Sequence, residues 1–130
     1  MYDANKVKPA FAFGHGLSYT TFEYSGLTFD TPTLTATFTI KNTGSLYGAE
    51  VAQLYLGFPA NAGEPPKVLR GFRKVATATP AELRSRHLHA QVGLSAGENR
   101  IVSISMADKD LSIWNSQQSN WQRWHGQFSV

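Results

Sequence analysis

The fold of this chain is decided by a stretch in which polar and apolar residues alternate, namely Thr35-Ala36-Thr37-Phe38-Thr39-Ile40. Alternation places every second side chain on the same face of an extended strand, so one face buries apolar groups while the other meets solvent. Close behind it, Asn42-Thr43-Gly44-Ser45 has the composition of a turn. The stretch therefore predicts a half-buried strand that ends in a turn.

The flanking sequence repeats this pattern in both directions. Alternation begins at Tyr19, and a second strand is predicted with Ala52, Leu54 and Leu56 on one face and Val51, Gln53 and Tyr55 on the other. Further strands are predicted at 68–75, 101–106 and 128–130, with a loop at 59–66. Short strands between turn signals, with no convincing helical face, indicate an all-β antiparallel sandwich. The exception is 80–91, where a leading proline is typical of one short helix.

Composition narrows the class of protein. The 130 residues are enough for one domain, and 42% hydrophobic with only 16% charged residues is typical of a globular, strand-rich extracellular module. No more than two basic residues are adjacent, so the net charge of +3 does not indicate a nucleic-acid partner. There is no membrane-length apolar run, no signal peptide is visible in residues 1–10, and the absence of cysteine removes thiolate chemistry.

Asp108 and Asp110 are the only close pair of carboxylates, and glycoside hydrolysis uses such a pair. An Asp-Lys-Asp sequence after a strand is, however, more typical of a turn in which the carboxylates accept nearby backbone N–H groups. We therefore predict no catalytic residue here.

Metal, phosphate and nucleophile motifs are also weak. His87 and His89 flank one leucine but lack a third ligand at a recognisable spacing, and His15 and His125 are expected to be exposed or packing residues. No phosphate-binding loop is present, and Gly16-Leu17-Ser18-Tyr19 begins like a nucleophile elbow but continues with Thr20 instead of glycine. No metal and no cofactor are predicted.

Three tryptophans, Trp114, Trp121 and Trp124, lie close in sequence. Exposed aromatic faces can stack on sugar rings, but tryptophans in a small sandwich more often anchor a core or an interface. We predict core or interface roles for Trp114 and Trp121 and leave Trp124 open.

One block of the sequence reads Phe13-Gly14-His15-Gly16-Leu17-Ser18-Tyr19-Thr20-Thr21-Phe22. It resembles the signature FGxGLSYTTF, which marks the entry into the C-terminal domain of glycoside hydrolase family 3. Others follow in the family's order: Lys41-Asn42-Thr43-Gly44, Gly48-Ala49-Glu50-Val51-Ala52-Gln53-Leu54-Tyr55, Pro65-Pro66-Lys67-Val68-Leu69-Arg70-Gly71-Phe72, Ser95-Ala96-Gly97-Glu98 and Asp110-Leu111-Ser112-Ile113-Trp114. The run from Tyr2-Asp3-Ala4-Asn5 to Pro9 resembles the linker of fungal β-glucosidases, and Trp121 matches a later tryptophan.

The resemblance implies an immunoglobulin/fibronectin type III-like sandwich at 19–130, preceded by a linker at 1–18. It implies a non-catalytic accessory domain of an extracellular β-glucosidase acting on β-glucosides such as cellobiose, whose partners would be that enzyme's catalytic domains. In this family the catalytic residues belong to those other domains, so no activity is expected from this chain. Tyr2, Phe11 and Phe13 would pack against the catalytic domains, although packing of Phe13 on this domain's own sheet is equally compatible. The alternative is a stand-alone carbohydrate- or protein-binding module.

Residues 75–91 match nothing in the family pattern, and removing them restores its spacing. They are interpreted as either a natural loop insertion or an intron translated in frame, and we favour the intron because valine codons begin GT and Gln91 can be encoded by CAG. We expect a mobile loop or loosely docked helix without function, with Lys74 and Val92 close together at its base.

We predict a mostly buried core that comprises Phe38, Ile40, Val51, Leu54, Ile101 and Trp114. Truncation of Trp114 to alanine is then expected to cost about 3–5 kcal/mol.

Overall fold

Residues 7–75 and 93–130 are described by a computed structural model, and their regular structure is almost entirely strand. The strands are β1 (Phe22–Asp30), β2 (Thr35–Asn42), β3 (Glu50–Leu56), β4 (Val68–Val75), β5 (Asn99–Ser105), β6 (Ser112–Asn115) and β7 (Asn120–Arg123). Two short 3-10 helices, Ala60–Ala62 and Asp108–Leu111, lie in the connections.

All pairings between these strands are antiparallel. One sheet has the order β1-β2-β5, a second consists of β3 and β4, and β6 and β7 form a separate hairpin. The two larger sheets close against each other where β4 meets β5, since Arg73 Nη1 donates to the Ser103 carbonyl at 2.9 Å. At the same side, Gly71 lies so close to Ile104 that a Cβ there would be 2.5 Å from its Cγ2. The predicted all-β sandwich is confirmed.

The core follows the alternation of the strands. Every second residue of β2, β3 and β5 is buried, namely Ala36, Phe38, Ile40, Ala52, Leu54, Leu56, Val102 and Ile104. Val75, Leu94, Met106 and Leu111 complete the cluster from the strand ends and connections. The predicted burial of Phe38, Ile40 and Leu54 is confirmed.

Three residues predicted for the core are exposed instead. Val51 is paired with Lys74 and Ile101 with Thr39, so each lies on the outer face of its sheet. Val51 and Ile101 are each one residue out of step with the buried series, and a shift of one residue reverses the face of a strand. Trp114 is 53% exposed on the hairpin.

Some predicted strand boundaries also differ. The strand predicted at 101–106 begins at Asn99 and ends at Ser105, whereas 68–75 coincides with β4. The strand predicted at 128–130 is reduced to a single bridge, in which Ser129 exchanges two backbone hydrogen bonds with Gly57. The hairpin of β6 and β7 was not predicted.

The turn after β2 is organised by a buried asparagine. Asn42 Oδ1 accepts the Thr20 hydroxyl at 2.7 Å and the Gly44 N–H at 3.0 Å. Its Nδ2 donates to the carbonyls of Leu46 and Leu94, both at 2.8 Å. Every polar atom of this fully buried side chain is therefore satisfied, and the turn at 42–46 is tied to two distant parts of the chain, at Thr20 and Leu94.

The residues at 76–92 lie outside the described part of the chain, and with them the predicted short helix and the expected approach of Lys74 to Val92. The flanking residues are described: Val75 pairs with Glu50, and Leu94 exchanges two backbone hydrogen bonds with Gly48. Gly48 and Glu50 are two positions apart, with Glu50 at the start of β3 and Gly48 just before it. Both Val75 and Leu94 are buried.

Candidate docking surface

The most exposed apolar side chains belong to the segment that leads into β1. Phe11, Phe13, Leu17 and Tyr19 are between 73% and 95% exposed, and we call these four residues the signature surface. A contiguous group of large exposed apolar side chains is characteristic of an interaction site.

The segment that carries the signature surface lies across the outer face of β3. Gln53 Nε2 donates to the Gly14 carbonyl at 3.0 Å, and the Tyr55 hydroxyl lies 2.6 Å from Gln53 Oε1 and 3.3 Å from the Phe13 carbonyl. Gly14 has a φ of 80°, and a Cβ there would be 2.2 Å from Gln53 Oε1. Only glycine meets both demands, so Gly14 allows the backbone to approach the sheet while Phe13 is left exposed.

The outer face of the second sheet carries another exposed apolar residue. Phe72 is directly opposite Gln53 in the β3–β4 register and is also strongly exposed. It therefore lies on the same face as the side chain that holds Gly14. The Phe13 side chain is 80% exposed, so of the two expectations for this residue the described residues give little support to packing on the domain's own sheet.

The two aspartates of the Asp-Lys-Asp sequence do not face a cleft together. Asp110 accepts the Ala107 N–H at 2.7 Å, which closes the first turn of the 3-10 helix. Asp108 makes an exposed ion pair with Arg123 of the hairpin. Asp110 thus makes the predicted turn contact to a backbone N–H, whereas Asp108 bonds to a side chain of the hairpin instead.

The other candidates are not brought together either. His87 and His89 lie outside the described residues, His125 is exposed, and the His15 ring stacks on Phe11 at 5.2 Å between centroids. Ser18 accepts the N–H of Thr20 at 3.3 Å, as in a turn. Within 7–75 and 93–130, no three histidine, cysteine or acidic side chains form a group that could hold a metal ion.

Trp114 and Trp121 face each other across the hairpin and are 53% and 60% exposed. Their rings meet edge to face, with centroids 5.6 Å apart and planes at 72°. Such a pair does not present the coplanar platform that would favour stacking on successive sugar rings. Trp124 is half-buried, and its indole Nε1 is enclosed without a hydrogen-bond partner among the residues that the structure describes.

Comparison with known proteins places these features in a family. Residues 50–85 match the fibronectin type III-like domain. Over nearly all of its length, the chain is 34% identical to a probable β-glucosidase D of Aspergillus flavus and 41% identical to β-glucosidase cel3A of Pyricularia oryzae. It spans only 18% and 16% of those two proteins, respectively.

Solved structures give the same result. The β-D-glucoside glucohydrolase of Trichoderma reesei superposes with a TM-score of 0.75 at 31% identity, and β-glucosidase D2-BGL of Chaetomella raphigera with 0.74 at 35%. Both cover 98% of this chain, which corresponds to 19% and 18% of theirs.

The alignments are longer than the chain itself. They extend over 151 positions for the Aspergillus protein and 144 for the Pyricularia protein, against 130 residues here. The first relative therefore has at least 21 residues in this region without a counterpart (151 − 130), and the second at least 14 (144 − 130).

With the all-β architecture, the exposed signature and these relatives together, the chain belongs to the fibronectin type III-like domains of glycoside hydrolase family 3 β-glucosidases.

Proposed function

We propose that this domain is a non-catalytic accessory domain that packs on the catalytic domains of an extracellular β-glucosidase and stabilises them. The observation that carries the proposal is the signature surface, which exposes four large apolar side chains where the linker enters the sandwich. Burying them against another domain would remove a large apolar area from water. The substrates of the parent enzyme would be β-glucosides such as cellobiose.

The described residues offer a surface for packing rather than a site for chemistry. A retaining or inverting glycosidase needs two carboxyl groups across a sugar-sized cleft. Asp108 and Asp110 instead bond to Arg123 and to the backbone of Ala107. We expect the purified chain to release no nitrophenol from an aryl β-glucoside; turnover that persists after removal of contaminating enzyme would contradict this.

The docking role is tested by complementation. The Aspergillus flavus relative, shortened by the region that matches this chain, is mixed with the chain, and its melting temperature and co-elution are measured. We expect co-elution and a higher melting temperature of the shortened enzyme. Leu17→Asp should abolish both, whereas the control Ile101→Asp, at an aliphatic and strongly exposed position on β5, should abolish neither. Equal effects of the two substitutions would overturn the proposed surface.

The rival function, a carbohydrate-binding module, rests on the exposed Trp114–Trp121 pair. The edge-to-face geometry leaves no shared planar face, which argues against it. Pull-down on insoluble cellulose separates the two functions, since an accessory domain should stay in the supernatant. Retention that is lost in Trp114→Ala would favour the rival.

A further inference from the structure

The guanidinium of Arg70 is a partly enclosed cation without a counterion among the described residues. Its side chain is half-buried, and its Nε is shielded from solvent and has no hydrogen-bond partner within 7–75 and 93–130. Neither of the two ion pairs in this part of the chain includes Arg70. An enclosed N–H without an acceptor costs free energy, and the cost is larger when the group is charged. The described part of the domain therefore does not supply the acceptor that Arg70 needs.

A β-bulge determines where Arg70 lies. The register of β3 and β4 shifts between Leu54 and Tyr55, which makes Arg70 the extra residue on β4, and bulges redirect a side chain relative to a regular strand. Its guanidinium carbon lies 5.4 Å from the centroid of the Phe58 ring. Phe58 in turn packs edge to face on Phe128 and against the core. The guanidinium is thus held over an aromatic ring that is itself fixed by packing.

This position lies beside the residue that holds the signature segment. Leu69, the residue before Arg70, pairs with Tyr55, whose hydroxyl lies 3.3 Å from the Phe13 carbonyl. A second cation, Lys67, places its Nζ 5.4 Å from the centroid of the Tyr55 ring, and it too belongs to neither ion pair of the described part. An apolar centre with a polar rim is the usual anatomy of a protein interface. The two cations lie where such a rim would be.

We propose that Arg70 receives a carboxylate side chain of the catalytic domains when the signature surface docks on them. The inference rests on the proposed function and adds the chemistry of the partner, namely an apolar patch with an acidic residue at its rim. Arginine presents a planar fork of N–H groups that matches the two oxygens of a carboxylate. Because Phe58 covers one side of the guanidinium, a charged hydrogen bond there is stronger than one in open water. Lys67 is exposed and adds a weaker attraction to the same acidic rim.

The test uses this chain together with the shortened Aspergillus flavus relative, and their dissociation constant is measured at low and at high sodium chloride concentration. We expect Arg70→Gln to weaken binding by at least about tenfold at low salt, since a hydrogen bond to a charged group contributes about that much. The difference from the parent chain should shrink at high salt. The control Lys41→Gln removes one positive charge at an exposed position of β2 and should change the affinity by less than about twofold.

Thermal melting of the isolated chain separates docking from folding. Arg70→Gln should melt within about 5 °C of the parent chain, because it loses only the contact with Phe58. If it does not fold, Arg70→Lys replaces it, which keeps the charge but loses the planar fork and should still weaken binding by about threefold or more.

Two results would overturn the carboxylate contact and leave the docking of the signature surface intact. One is unchanged binding by the folded Arg70 variant, and the other is equal weakening by Lys41→Gln. Failure of the parent chain itself to bind the shortened relative would instead overturn the proposed function, and this inference with it.

Discussion

Strands β1 and β2 are neighbours in one sheet and direct the same kind of residue toward the same side, yet they differ in burial. Ala36, Phe38 and Ile40 of β2 are closed off, whereas Tyr24 and Phe29 of β1 are open to solvent. The difference lies in what faces them, since among residues 7–75 and 93–130 the second sheet covers β2 but not β1. Alternation therefore determines which face of a strand is apolar, and the opposite layer determines whether that face is buried.

The largest effect is expected from truncating the covered strand. Ile40→Ala removes a fully buried side chain and should lower the free energy of unfolding by about 3–4 kcal/mol, because transfer and cavity costs add. Leu27→Ala on the open strand should cost less than about 1 kcal/mol. Urea unfolding of both variants measures the contrast. Similar losses would show that β1 is as well covered as β2.

A second large effect on stability is expected at Asn42, whose buried side chain bonds to distant parts of the chain. Asn42→Ala leaves the carbonyls of Leu46 and Leu94 and the Thr20 hydroxyl without their partner, and we expect a loss of about 2–3 kcal/mol. Asn115→Ala is the matched control, since Asn115 Oδ1 accepts two turn N–H groups, of Gln117 and Gln118, at the exposed hairpin. The free energy of unfolding of Asn115→Ala should fall by about 1 kcal/mol. Thermal melts that rank the two variants in reverse would refute the role of Asn42.

The sequence predicted the covered part of the fold better than the open part. The alternation around Phe38 and Leu54 is strict, so the strands and their inner faces followed from it. Asn42 was predicted only as a turn residue, because its partners Thr20 and Leu94 are distant in sequence. The exposure of Tyr24 and Phe29 could not be predicted, since the pattern within a strand carries no information about the layer that faces it. Val51 and Ile101 were assigned by hydrophobicity, which does not reveal the face of a strand when both faces carry apolar residues.

A smaller effect is expected at the open side, where Tyr24 bonds to Glu50. Burial raises the pKa of the Tyr24 hydroxyl above its usual range, and the hydrogen bond to Glu50 and its negative charge raise it further. The pKa is higher in the folded chain than in the unfolded chain. The stability contributed by the protonated hydroxyl is therefore complete below about pH 10 and is lost as the pH rises above that value. Tyr24→Phe should cost about 0.5–1 kcal/mol at pH 7.

Thermal melting of the parent chain and of Tyr24→Phe between pH 7 and pH 11 tests the direction of this pH dependence. The difference between the parent chain and Tyr24→Phe should stay constant to about pH 10 and then narrow, whereas Tyr19→Phe, at an almost fully exposed ring, should melt like the parent at pH 7. A difference that widens above pH 10 would contradict the assigned role of the hydroxyl.

The smallest effect on stability is expected from the largest alteration of the chain, the removal of residues 75–91. Deleting 75–91 or 76–92 yields the same chain, because Val75 and Val92 are identical. In the register of β4, Val75 pairs with Glu50, so a residue two places further would pair with Gly48. Leu94 is bonded to Gly48, and without these 17 residues it follows Val75 by two places (94 − 17 = 77). The deletion therefore joins the flanks in register, and stability should change by less than about 1 kcal/mol.

A deletion shorter by one residue provides the control. Without residues 76–91, Leu94 follows Val75 by three places, which turns its side chain to the opposite face if the strand register is kept. Leu94 is fully buried, so this variant should lose several kcal/mol and melt well below the first. If the two deletions melt alike, the strand does not continue across the junction. If both fail to fold, the removed residues supply part of the core, and both the insertion and the intron interpretations are wrong.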